Sequence, residues 1–110
     1  LSEWVYGTDL TIIIDRAKIP IRDHVREFLD ALGVDPLSMA SEGVAVLAVD
    51  PLVADEVVEE LHKKGETYST IIGYVKKAPN KIVSGKVIAI TEVGGKVLVE
   101  PKSVNLPRIC

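Results

Sequence analysis

The sequence predicts an α+β fold, a mixed or antiparallel sheet with helices packed on one face and a flexible C-terminal tail. Three observations lead there. Short β-branched apolar runs alternate with stretches whose apolar residues recur at helical spacing. Asp-Pro pairs stand where helices begin, at Asp35-Pro36 and Asp50-Pro51. A length of 110 residues, 47% of them hydrophobic and 26% charged, suits one domain with a true core and excludes wholesale disorder.

The elements follow in order. Leu10-Thr11-Ile12-Ile13-Ile14 reads as a buried strand. Pro20 biases Ile19 away from helix, so residues 18–21 form an extended link. Residues 22–32 place Val25, Phe28, Leu29 and Leu32 on one helical face, opposite a solvated face carrying Arg22, Asp23, Arg26, Glu27 and Asp30. Gly33 suits the helix end, and Asp35-Pro36 opens a short helical turn through Met39. After the polar junction Ser41-Glu42-Gly43, residues 44–49 predict a second apolar strand. A helix then runs from Leu52 to about Lys64, with Leu52, Val53, Val57, Val58 and Leu61 as its apolar face and Gly65 as its stop.

The remainder is rich in strand. Residues 70–75 carry Gly73 in mid-strand, which predicts a bulge or a close backbone approach. Ile82-Val83 and residues 86–91 form the next extended stretch, and residues 96–100 return across a Gly94-Gly95 turn. Residues 1–102 then form the domain, and residues 103–110, without periodic pattern, a mobile tail leaving the sheet. Trp4, Val5 and Tyr6 carry apolar bulk but belong to no complete element, which predicts that upstream residues pack against them.

Composition excludes several functions. The net charge is −3, there is no basic tract, and aromatic residues are only 5%, so the chain lacks the surface and stacking platform of a nucleic-acid binder. No apolar run is long enough for a membrane span, and no signal peptide opens the chain. A single cysteine fits a reducing cytoplasm. No Gly-x4-Gly-Lys-Ser/Thr phosphate loop is present, and His24, His62 and Cys110 lack metal-ligand spacing. The chain by itself does not read as a complete enzyme.

The most informative residues are the last four, Pro107-Arg108-Ile109-Cys110. A lone cysteine forms no internal disulfide, and one at a chain end has no core to fill. What remains is a thiol that meets a partner or is modified.

Several stretches together resemble the C-terminal region of the hydrogenase maturation proteins of the HypE family, within the superfamily related to aminoimidazole ribonucleotide (AIR) synthetase. They are Ile19-Pro20-Ile21, then 32–37 (Leu-Gly-Val-Asp-Pro-Leu), Ala40-Ser41-Glu42-Gly43, 71–75 (Ile-Ile-Gly-Tyr-Val) and the ending Leu106-Pro107-Arg108-Ile109-Cys110. Each fragment alone is common, but the ending joined to the Glu-Gly junction is specific. Position 41 is serine where the family more often has asparagine. The family's N-terminal nucleotide-binding domain, which also forms the dimer core, and the early part of its C-terminal domain have no counterpart here. The resemblance therefore implies a truncated AIR-synthase-type C-terminal domain, which alone binds no ATP and completes no turnover.

The resemblance also implies a chemistry. A HypF-like carbamoyltransferase loads a carbamoyl group onto the Cys110 sulfur. The full-length, homodimeric enzyme then uses ATP and Mg to dehydrate this thiocarboxamide to a thiocyanate. Its cyanide passes to iron held by a HypC-HypD-like complex, for a nickel-iron hydrogenase. Sulfur serves both as nucleophile and as leaving group, so one thiol loads and unloads the same carbon. Glu42, beside a glycine that permits close approach, is the candidate base for the carbamoyl nitrogen. Pro107, Arg108 and Ile109 are the candidate docking residues of the tail, with Arg108 placed to meet a carboxylate or to lower the thiol pKa. Two other readings compete: a non-catalytic interaction domain with a docking C-terminal peptide, and a thiol redox switch, for which the chain lacks a resolving cysteine.

Overall fold

The computed structural model describes residues 1–39 and 43–99. In chain order the elements are α1 (Ser2–Val5), β1 (Leu10–Asp15), a 3-10 turn (Arg16–Lys18), α2 (Asp23–Leu32), a second 3-10 turn (Pro36–Ser38), α3 (Ala54–Lys63), β2 (Gly73–Lys77), β3 (Lys86–Ile90) and β4 (Lys96–Val99). The four strands form one mixed sheet in the order β2-β1-β3-β4, so the expected α+β class holds. Strand β1 is antiparallel to β2 and parallel to β3, and β3 is antiparallel to β4.

The core sits where β1 and β3 lie side by side. Ile12 pairs with Val87 and Ile14 with Ala89, and the alternation of a strand sends all four to one face. Val5 completes this cluster, with Leu1, Ile19, Leu37, Ile72 and Val99 packed around it. Thr11 is fully buried, and its Oγ1 donates to the Val83 carbonyl at 2.8 Å. That bond satisfies a hydroxyl that would otherwise be costly to bury.

Gly73 shows the close backbone approach its position predicts. A Cβ there would fall 2.8 Å from the Ile14 Cα, and closer still to the Ile13 carbonyl. Only a residue without a side chain lets β2 lie against β1 at that register. Gly33 ends α2 in the left-handed region at φ 68°, with its N–H donating to the Asp30 carbonyl and that of Val34 to the Leu29 carbonyl.

Three local expectations are corrected. Residues 44–49 pair with no strand and are exposed throughout. An apolar β-branched run becomes a strand only against a partner edge, and this one lies on neither outer edge of the sheet, at β2 or at β4. Ile82-Val83 belong to a turn, because the Asn80 Oδ1 accepts from the N–H groups of Ile82 and Val83. Trp4 and Val5, expected to belong to no complete element, form part of α1, with Val5 2% exposed in the core while Trp4 and Tyr6 stay exposed. Asp50 also shifts role. It caps the turn before α3, accepting from the Leu52 N–H at 2.8 Å, while the helix itself begins at Ala54.

The two longer helices bury little. Leu29 is the buried residue of α2, Phe28 and Leu32 are exposed, and α3 has no buried residue.

Candidate functional site: the cavity at the carboxyl ends of the parallel strands

Chain direction places the ends of β1 and β3 together, because those strands run parallel. Beyond β1 the chain tightens into a 3-10 turn, with the Asp15 carboxylate accepting from the Ala17 N–H at 3.0 Å. This turn aims Arg16 at Asp35, nineteen residues on. Two parallel bonds join them, Nη2 to Oδ1 at 3.0 Å and Nη1 to Oδ2 at 3.4 Å. The planar guanidinium matches a carboxylate in this way where an ammonium would not.

Asp35 does a second task. Its Oδ1 also accepts from the Leu37 N–H at 3.0 Å, as the Asp-Pro signal predicts. One carboxylate thus caps the Pro36–Ser38 turn and ties it to the end of β1. Leu37 in turn packs against the core. The chain is therefore pinned just before it enters the segment that carries Glu42.

The same residues frame a cavity of about 130 Å³, lined by Ile19, Ile21, Arg26, Asp30 and Glu92 as well as by Arg16 and the 35–37 turn. Its lining mixes apolar walls with two arginines and three carboxylates. Arg16 and Asp35 neutralise each other. No ion pair or side-chain hydrogen bond engages Arg26, Asp30 or Glu92 among the described residues.

Every residue expected to act chemically or to dock the tail, Glu42, Pro107, Arg108, Ile109 and Cys110, lies outside the described residues. Gly43 alone of the Glu-Gly pair is described, and a Cβ there would meet nothing within 4 Å. Sequence reasoning assigned Arg26 and Asp30 to a solvated helix face and left Arg16 and Glu92 without a role. Only Asp35 carried a readable local signal. The rest converge from three separate segments, and no spacing rule relates them.

His62 behaves as a structural residue. His62 Nε2 lies 2.6 Å from the Ser69 carbonyl, to which it donates, holding the turn after α3. Among the described residues no group of three or more His, Cys, Asp or Glu side chains gathers to hold a metal ion. Nor is any helix among them long and apolar enough to cross a membrane.

Known proteins share this fold. Residues 1–86 match the family described as AIR synthase related protein, C-terminal domain. The chain belongs to that family. The expected resemblance to HypE holds over the whole chain. A Methanocaldococcus jannaschii protein named for hydrogenase expression and formation is 37% identical across all of it, covering 32% of that relative. The carbamoyl dehydratase HypE of Escherichia coli strain K12 is 31% identical, again across all of this chain and 32% of its own length. A crystal structure of hydrogenase maturation protein HypE superimposes with a TM-score of 0.87 at 29% identity, covering 100% of this chain and 36% of that one. A second, of HypE in complex with ATP, gives 0.83. The chain spans about a third of the length of the curated relatives it matches.

Proposed function

We propose that this chain is the cysteine-bearing C-terminal part of a HypE-like, ATP-dependent carbamoyl dehydratase. The observation that carries the reading is the match of the whole chain to HypE in sequence and in backbone, joined to the Leu106-Pro107-Arg108-Ile109-Cys110 ending. In this reading Cys110 receives a carbamoyl group on sulfur from a carbamoyltransferase. The carbonyl oxygen leaves as the equivalent of water once ATP has activated it, the nitrogen loses two protons, and an S-cyano group remains. Glu42 serves as the base; along the chain it follows the 35–37 turn that Asp35 ties to Arg16 and Leu37. The relative solved with ATP supports nucleotide use by the longer protein. No step at ATP or Mg is assigned to residues of this chain. Residues 103–110 act as the carrier tail, the cyanide goes to an iron-carrying maturation complex serving a nickel-iron hydrogenase, and the work is cytoplasmic.

Intact-mass spectrometry tests the reading. The chain is incubated with carbamoyl phosphate, ATP and a hydrogenase-type carbamoyltransferase, beside Cys110→Ser. The expected result is a carbamoyl adduct on Cys110 that the variant lacks, converted to the S-cyano product when the longer protein is used. Absence of the adduct at both lengths overturns the carrier reading and leaves the interaction domain.

A further inference from the structure

Helix α3 is amphipathic, yet this chain leaves its apolar side uncovered. The helix has no buried residue, and Leu52 and Val53 at its entry are 88% and 41% exposed. A shallow groove of about 320 Å³ runs along it, floored by Val53, Val57 and Leu61 and edged by Glu56, Glu60 and Lys64. An apolar stripe at four-residue spacing normally packs on a neighbouring element. The charges beside the stripe select that neighbour. The first two turns carry Asp55, Glu56, Glu59 and Glu60, whereas the end carries His62, Lys63 and Lys64. Lys63 is committed to Glu59 and Glu60 of its own helix, at 3.6 and 3.5 Å. Glu56 and Lys64 form no ion pair among the described residues. A partner that fits needs an apolar stripe with a basic group beside Glu56 and an acidic group beside Lys64. Helix α3 itself, run in the opposite direction, has that pattern.

We propose that two copies of this chain pair through α3, the helices lying antiparallel about a two-fold axis with their grooves face to face. With the axis level with Glu59, Val57 of each copy stands level with Leu61 of the other. Glu56 then lies two residues, roughly 3 Å along the helix, from the level of Lys64 of the other copy. Symmetry repeats that pair, so two cross-pairs flank one apolar seam. Glu60, which nears its own counterpart, is balanced by Lys63 of its own helix. Antiparallel helices also set opposite dipole ends side by side. One ten-residue helix per copy makes a small interface, so the dimer is weak, with a Kd on the order of 10–100 µM. The inference goes beyond the carrier reading and does not depend on it.

Sedimentation equilibrium of the 110-residue chain reads the association, with a reductant present so that Cys110 bridges no copies. The native chain is expected to pass from monomer to dimer between about 10 and about 500 µM. Salt at about 1 M, which cuts the reach of exposed charges to roughly 3 Å, should weaken the dimer. Lys64→Glu and Glu56→Lys, each confirmed as folded by circular dichroism, make both cross-pairs repulsive and should weaken it about five- to ten-fold. Mixed in equal amounts, the two variants regain both attractive pairs across one heterodimer and associate about as tightly as the native chain. A native chain that stays monomeric at every concentration overturns the proposal and leaves the groove to another part of a longer polypeptide. Single variants that dimerise as tightly as the native chain, or folded variants that do not recover on mixing, overturn it equally.

Discussion

Residues 10–14 and residues 44–49 are almost the same kind of sequence, yet they end in opposite environments. Both are short, apolar and β-branched. The first lies in the middle of the sheet, with Ile12 and Ile14 only 4% exposed. The second pairs with nothing, and Val44 and Leu47 are both more than 60% exposed. Hydrophobicity alone is therefore not what makes a strand here; pairing with a neighbouring strand is. Burial contributes stability only where a partner removes the surface from water.

That contrast can be broken from the buried side. Gly73→Ala is expected to have the largest effect, about 3 kcal/mol or more, because the new methyl meets backbone atoms of Ile13 and Ile14 that cannot move without parting β1 from β2. Val87→Ala, at a residue 1% exposed, removes two buried methyl groups and should cost about 2 kcal/mol. Urea unfolding followed by the fluorescence of Trp4, the single tryptophan, measures both as a lowered midpoint.

Smaller changes sharpen it. Asp35→Ala removes the cap of the Pro36–Ser38 turn and the bidentate partner of Arg16, a partly exposed pair (28% and 36%), and should cost about 1–1.5 kcal/mol. Asp35→Asn keeps the Leu37 bond and should recover most of the cap. Val46→Ala, in the unpaired stretch, should stay within about 0.5 kcal/mol. A Val46 variant as damaging as Val87→Ala would show that residues 44–49 are buried in solution.

Much of the architecture was legible locally. The strand at residues 10–14, the helix ending at Gly33, the Asp35-Pro36 turn and the tight approach at Gly73 each follow from one or two residues whose backbone or capping preferences leave few alternatives. Of the residues around the cavity, only Asp35 was legible in the sequence. The Leu-Pro-Arg-Ile-Cys ending and the Glu-Gly junction point to a family, and Asp35 announces itself as a cap. Arg16, Arg26, Asp30 and Glu92 give no such signal. Charged residues on a helix face or in a turn look solvated until the fold places them around one cavity.

The sequence by itself determined the element types, the turn chemistry and the family, because those depend on preferences within a few residues and on short motifs. The tertiary structure alone decided which apolar run was buried, why Ile82 and Val83 turn aside, and that five charges meet at the ends of two parallel strands. Those outcomes depend on pairings between segments far apart in the chain. No local propensity encodes which edge is already occupied when a strand arrives.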